Sequence, residues 1–332
     1  MIRIKKFMVV SILILVLFTF FVNSAFCLPK IDQMTIATDS ANGTWLRIGA
    51  AVADKVNEHF EGYPITSVPG SGSVGNAALV GSGKNLIGVS MVPWLLLAFK
   101  GEGPYEEALP DLRLIATFGK DQAVHIILDL KKEISTLEEL LSKKIPVNFG
   151  IPAKGSASFL ISNLIFNKCG YESPDVINNW GGKVYYAEGI ANVDNWRDRH
   201  INAAFLTYNV PSTEVEQCLL GRPGKVLSLG ENVIEKLVSE NGFSRNVIPA
   251  GTYPQQEEDV ETIGLKQAFI CNTKLPDEVA YQIAKTLYED VDFLANVSQT
   301  FKGWDRETMT ESAPIPFHEG AIKFYKEVGL MK

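Results

Sequence analysis

Residues 69–75 read PGSGSVG, and Gly70 to Gly75 fit G-x-G-x-x-G. Glycines in that spacing let a turn bare successive backbone N–H groups at the start of a helix, which suits a phosphate or another anion. A dinucleotide site built this way also needs an acidic residue about 20 positions later to hold a ribose hydroxyl. From Asn76 to Gly101 the chain has no Asp or Glu, and no G-K-[ST] follows the glycines. The Rossmann and P-loop readings therefore fail, and what survives is a site for some other anion.

Two more segments place small and hydroxyl residues ahead of a helix: SANGTW (Ser40 to Trp45) and GIPAKGSAS (Gly150 to Ser158). Ser, Thr, Asn and Gly are the favoured helix caps, so capping explains any one of them. GSGSVGN and GSAS carry more glycines and hydroxyls than a cap needs, and the three starts together predict convergence on one cleft. Helix termini contribute on the order of 0.3–2 kcal/mol each to a nearby anion, whereas micromolar binding needs about 8 kcal/mol. Side-chain contacts and the closing of a dry cleft by two lobes have to supply the remainder.

The elements that position these turns are legible in the pattern. MTIAT alternates like a strand, Trp45, Ile48, Val52 and Val56 recur at helical spacing as far as Gly62, and PITSV reads as the next strand. A short helix through Ala77 to Val80 and a strand at LIGVS follow, which predicts a parallel sheet covered by helices, an α/β class. A second series starts at VHIILDL (Val124 to Leu130) and includes AAFLTY (Ala203 to Tyr208). The polar PAGTYPQQEEDVET reads as a crossing between domains. LPDEVAYQIAKTLYE and EGAIKFYKEVG read as closing helices, the first with Val279, Ile283 and Leu287 on one face.

The 332 residues, 46% hydrophobic and 21% charged, suffice for two domains. Arg3, Lys5 and Lys6, the 15-residue apolar run Met8 to Val22 and then NSAFC give the order of a secretory signal, too short to span a bilayer. Cleavage after Cys27, with a mature chain from Leu28, is the expectation, and lipid attachment at Cys27 is the alternative. Loss of the signal takes the net charge from −7 to −10, which argues against binding nucleic acid or an anionic membrane by bulk charge. Cys169, Cys218 and Cys271 remain, enough for one disulfide at most. His59, His125, His200 and His318 are scattered with no metal-site spacing, and no serine pairs with a base in sequence. His318 is expected to open the last helix, and DNWRDRH (Asp194 to His200) to be a solvated surface. Asp39 or Glu188 would suit a ligand ammonium, and Arg47, Lys120 or Lys154 a distal carboxylate.

Five segments in order, NGTWLRIGAAVA, PGSGSVGNAALVGSGKNLIGVS, EISTLEELLSKKIPVNFGIPAKGSAS, IPAGTYPQQEEDVETIG and PFHEGAIKFYKEVG, make the chain resemble the TAXI solute receptors. These are the extracytoplasmic binding subunits of tripartite ATP-independent periplasmic (TRAP) transporters. The resemblance implies a two-lobed periplasmic-binding-protein-like fold, each lobe a mainly parallel sheet flanked by helices, with a hinge of crossing strands and one ligand cleft between the lobes. Residues 1–27 would be the signal peptide, 28–121 with 262–332 the first lobe and 122–261 the second. The implied function is capture of a small organic acid or amino acid, of the glutamate, glutamine or 2-oxoacid class, for delivery to TRAP membrane subunits in the periplasm. No catalysis, cofactor, metal or nucleic acid is implied, and a monomer is expected. Carried over by residue, the ligand loops are Ser40, Asn42, Gly43, Thr44 and Trp45; Gly70, Ser71, Gly72, Ser73 and Asn76; and Gly155, Ser156, Ala157 and Ser158, with Thr207 and Tyr208 beyond. The family usually has Tyr where Trp45 stands and Asp where Asn202 stands. A sensor subunit with the same fold, or an exported serine hydrolase, are the competing readings.

Overall fold

The computed structural model describes residues 34–41, 43–59, 64–130, 133–311 and 313–332. The expected signal at 1–27, with Cys27, and the expected ligand residue Asn42 lie outside them. The chain opens with β1 (Met34–Ala37), α1 (Thr44–His59), β2 (Ile65–Val68), α2 (Gly72–Gly81), β3 (Ile87–Met91) and α3 (Val92–Lys100). β4 (Leu112–Asp129) leads into α4 (Leu137–Ser142), β5 (Asn148–Pro152), α5 (Ala157–Lys168), β6 (Lys183–Ala187), α6 (Gly189–Arg197) and β7 (Ala203–Asn209). Then come α7 (Thr213–Gly221), β8 (Gly224–Leu227), α8 (Glu231–Asn241), β9 (Ser244–Ile248), β10 (Val260–Asn272), α9 (Asp277–Glu289), α10 (Val291–Val297) and α11 (Glu319–Glu327).

The strands follow the order β2-β1-β3-β10-β4-β7-β5-β6, with β8 on β4 and β9 on β10. Two parallel trios with the same internal order, β2-β1-β3 and β6-β5-β7, form the sheets of two lobes. The antiparallel pair β4 and β10 joins them. β4 pairs with β10 along Leu112–Phe118 and with β7 along Gln122–Leu128; β10 pairs with β9 along Val260–Gly264 and with β3 along Gln267–Cys271. Between these stretches the ladder slips at Leu265/Gln267, opposite Gly119–Asp121, and Gly119 takes φ +69° with Thr300 packed where a side chain would stand. A bulge of this kind bends a strand and raises its twist, so the chain turns from one lobe into the other there.

The apolar positions go where their spacing sends them. Trp45, Ile48, Val52 and Val56 are buried on α1, and Val279, Ile283 and Leu287 on α9. The second lobe packs Val193, Trp196, Leu206, Val215, Leu219 and Tyr253 together. Three expectations need correction. The strand expected from Val124 begins twelve residues earlier, at Leu112, because it crosses both lobes. Most of PAGTYPQQEEDVET is no crossing: residues 249–259 close the β9–β10 connection on themselves, with the buried Gln256 amide donating to the carbonyls of Ile248, Pro249 and Glu258, and only residues 260–262 open the crossing strand β10. In DNWRDRH, Trp196 is fully buried and donates its indole N–H to Cys218 O at 3.0 Å, while its charged neighbours stay exposed. Cys169, Cys218 and Cys271 are free thiols. Among the described residues no helix is long and apolar enough to cross a membrane.

Each lobe is locked by a buried asparagine on the helix after its second strand. Asn76 on α2 donates its amide to the carbonyls of Ala37, Thr38 and Val89 and accepts the N–H of Ser71, tying β1, β3 and the glycine turn together. Gly70 lies against that amide and the Thr38 backbone, where a Cβ would clash. Asn192 on α6 occupies the matching place and donates to the carbonyls of Ile151 and Ala187. A buried polar group left without its partner costs about 1–3 kcal/mol. Asn76→Ala, which orphans four backbone groups, is expected to lower the unfolding free energy by about 3 kcal/mol and by more than Asn192→Ala in urea denaturation; equal losses would contradict the locking role.

His125 on β4 is fully buried, with Nδ1 3.1 Å from Ala123 O and Nε2 3.0 Å from the Tyr253 hydroxyl. The Ala123 carbonyl only accepts, so Nδ1 carries the ring proton; in the neutral imidazole Nε2 then accepts the Tyr253 hydroxyl proton, while that hydroxyl's oxygen accepts the Ser212 N–H. Burial holds the ring's pKa down to about 4 against an ordinary 6.5. The unfolded chain therefore binds a proton that the folded chain refuses as pH falls through this window. Stability present above pH 6.5 is expected to decline by about 3 kcal/mol on reaching pH 4, and His125→Phe to flatten that part of the stability profile.

Candidate functional site

Strands β1, β2, β5 and β6 run parallel to their neighbours, and each is followed by a helix. Parallel connections of this kind put the helix starts at the carboxyl ends of the strands, where open α/β sheets hold ligands. A cavity of about 320 Å³ lies there. The first lobe lines it with Asp39, Thr44, Trp45, Gly72, Ser73 and Met91, the second with Ala157 and Asn209, the crossing strands with Gln122 and Gln267, and Thr300 completes the wall. A smaller cavity of about 170 Å³ continues along the start of α5 and the end of β7, lined by Ser156, Ser158, Glu188, Gly189, Thr207 and Tyr208 among others.

The helix starts differ in what they leave open. At α1 the Asp39 carboxylate accepts the N–H groups of Trp45 and Leu46, both at 3.1 Å, and Gly43 leaves room for it. This helix end is already neutralised by the chain's own anion. At α2 no side chain caps the helix, and the Ser73 carbonyl accepts the Ser90 hydroxyl at 2.8 Å, which fixes the turn on β3. At α5 the Ser156 hydroxyl accepts the Phe159 N–H at 3.1 Å, and Thr207 donates to the Ser158 hydroxyl at 2.7 Å, joining β7 to the helix start. The start of α2 is thus without a side-chain cap and that of α5 only part-capped, which leaves one anion-holding helix start from each lobe.

Nine residues expected at the site line one or other cavity: Thr44, Trp45, Gly72, Ser73, Ser156, Ala157, Ser158, Thr207 and Tyr208. Six others do not. Ser40, Ser71 and Gly155 are exposed to solvent, Gly43 and Gly70 are packing positions, and Asn76 is fully buried with its amide spent on the backbone. Trp45, standing where a tyrosine is usual, is buried and donates its indole N–H to Gln267 Oε1 at 2.6 Å; Gln267 in turn donates to Lys120 O. Asn202 has a structural bond, accepting the Asn148 N–H at 2.8 Å. Burial, reinforced by Glu214, Cys218 and Glu188, pushes the Tyr208 hydroxyl up to about 12, so it is a hydrogen-bonding phenol at neutral pH.

The charged residues divide cleanly. Asp39 and Glu188 line the cavities, whereas Arg47 bonds to Thr44 on an exposed face and Lys154 pairs with Asp175 and sits over the Tyr186 ring. Lys120 faces a different pocket. Among the described residues neither cavity has a Lys or Arg in its lining. Gln122, Gln267, Asn209, Met91 and Thr300 went unforeseen. The two glutamines carried a usable signal, a polar residue inside an apolar strand; Thr300, far along the chain, carried none.

Among the described residues no group of three or more His, Cys, Asp and Glu is placed to hold a metal ion. His318 caps α11, accepting the Gly320 N–H, and lies 3.6 Å from Asp277. The fold is similar to that of a TctC solute binding protein from Polaromonas, at 16% identity over 83% of this chain and 88% of that one, with a TM-score of 0.48. It is also similar to the periplasmic binding protein BugD, at 12% identity over 90% and 98% of the two chains, TM-score 0.48. The binding protein component of an ABC phosphonate transporter from Pseudomonas aeruginosa matches at 12% identity over 82% and 80%, TM-score 0.48. In sequence, residues 36–329, nearly all of the described chain, match the NMT1-like family, and the protein belongs to that family.

Proposed function

We propose that this NMT1-like protein is an exported solute receptor of the TAXI type, which captures a small carboxylate-bearing solute between its lobes and delivers it to the membrane subunits of a TRAP transporter. One observation carries the reading: uncapped or part-capped helix starts from both lobes, at Gly72–Ser73 and Ala157, line the same cavity. The five sequence segments shared with TAXI receptors support the narrower assignment, and the signal-like order of residues 1–27 supports a periplasmic location. The lobes are residues 28–121 with 262–332, and 122–261; the ladder slip at Gly119–Asp121 and Leu265–Gln267 supports a hinge at that division. Closure is driven by a guest that contacts both lobes. The receptor works as a monomer without catalysis: Ser156 is engaged in capping and Ser158 with Thr207, while His125 and His318 have other partners, so among the described residues neither of these turn serines is paired with a histidine.

Charge narrows the guest. A carboxylate suits the starts of α2 and α5, but a second carboxylate would find Asp39 and Glu188 and no cation in the lining. An ammonium suits those two acids. Within the glutamate, glutamine and 2-oxoacid group, amino acids are therefore favoured over the corresponding 2-oxoacids. Thermal-shift titration with amino acids and 2-oxoacids of matching skeletons tests this. A bound amino acid at about 100 times its Kd is expected to stabilise the fold by about 2.7 kcal/mol, with smaller shifts from the 2-oxoacids. A larger shift from the 2-oxoacid would reverse the assignment of charge.

Variants locate the binding. Ser73→Trp and Ala157→Trp, which fill the cavity from opposite lobes, are expected to abolish the shift, and full affinity in both would remove the cavity from the proposal. Glu188→Gln, at an exposed position, is expected to weaken amino-acid binding about tenfold, equivalent to about 1.4 kcal/mol, and to leave unfolding in urea unchanged.

A further inference from the structure

Behind the crossing strands lies a second pocket that solute capture does not use. Side chains alternate across a strand, so on β10 Gln267 faces the ligand cavity and Lys266 the opposite side, and on β4 Gln122 faces the cavity and Asp121 the opposite side. The pocket on that far side measures about 410 Å³ and takes Lys120 and Asp121 from the break in β4, Lys266 from β10 and Arg245 from β9. Arg245 is accounted for, paired with Glu231 and Glu261, whereas Asp121, which accepts the Ser244 hydroxyl, keeps its negative charge in the pocket.

Lys266 is different. Its side chain is only 13% exposed, and its ion pair with Glu311 spans 4.0 Å, beyond hydrogen-bond reach, to an acid that is itself 62% exposed. Among the described residues its ammonium meets no hydrogen-bond acceptor, and Lys120, exposed in the same pocket, has no ion pair. A largely buried ammonium is expensive to leave without a close partner. In a chain of net charge −7, two lysines without a hydrogen-bonded acid outnumber the single Asp121 carboxylate in this pocket and leave it a local site for negative charge.

We infer that this pocket is a second anion site, taking a phosphate-sized oxyanion on Lys120 and Lys266. Both lysines stand at the slip in the β4–β10 ladder, so an anion shared by them ties the two strands together where, on the two-lobe reading above, the lobes pivot. Occupancy stiffens the hinge.

Calorimetric titration of the purified protein with inorganic phosphate, at ionic strength held constant with potassium chloride, tests the site. Saturable binding is expected, weakened at least tenfold by Lys266→Gln and by Lys120→Gln and retained by Lys266→Arg. Lys120 is exposed, so its variant keeps the test valid should Lys266→Gln fail to fold. Ser73→Trp, which blocks the ligand cavity, is expected to bind phosphate as the wild type does. Absence of saturable binding, or unchanged affinity in both glutamine variants, overturns the inference, as does loss of binding in Ser73→Trp with retention in the lysine variants, which would place the anion in the cleft. Phosphate is also expected to slow hydrogen exchange at amides 119–121 and 265–267; binding without that change overturns the hinge role.

Discussion

Two parallel strands cannot be joined by a tight turn; the chain has to return along the sheet, here through a helix. That obligation governs the molecule. Because β1, β2, β5 and β6 are all left in this way, the helix starts gather at one edge of each lobe. The antiparallel pair β4 and β10 then brings the two edges face to face, since each strand belongs to both lobes. No binding residue has to be placed individually for a polar crevice to arise: the connectivity supplies it, and the side chains at the strand ends decide what it accepts.

Those side chains separate two roles that a glycine-rich turn confuses. Asp39 neutralises the start of α1 from within the chain, so this turn shapes the wall and leaves no vacancy for an anion. The start of α2 keeps its vacancy, and that of α5, where Ser156 caps one N–H, keeps part of it. Asn76 makes the difference at α2 structural, because it spends its entire amide on holding Ser71 and the ends of β1 and β3. The turn is therefore held by a neighbour on the following helix turn and by the backbone of residues 38 and 39, and the N–H groups left without a side-chain cap are those of the first turn of α2 beyond Gly72.

Much of this was legible in the sequence, and the exceptions have a common cause. Glycine and hydroxyl residues before an apolar helical period marked the starts of α1, α2 and α5, since both signals are local. The same locality made Asn76 look like a ligand residue: its type and position fit the turn, and only the burial of its amide under two strands shows the other use. Gln267 meets Trp45 across 222 positions of sequence, and Thr300 packs on Gly119 from still further along the chain. Pairings at such separations follow from the order of the strands, which spacing does not encode. The length of β4 was hidden for the same reason: its start at Leu112, ahead of the expected start at Val124, follows from its pairing with β10.

The bond from Trp45 to Gln267 also has an optical side. It holds an indole in the wall of the cavity and fastens it to the strand that crosses between lobes, whereas Trp94, Trp180, Trp196 and Trp304 line neither cavity. On the proposed reading the protein thus carries an intrinsic fluorophore where guest and hinge meet, and a change in its emission on adding a solute would register binding without any attached label.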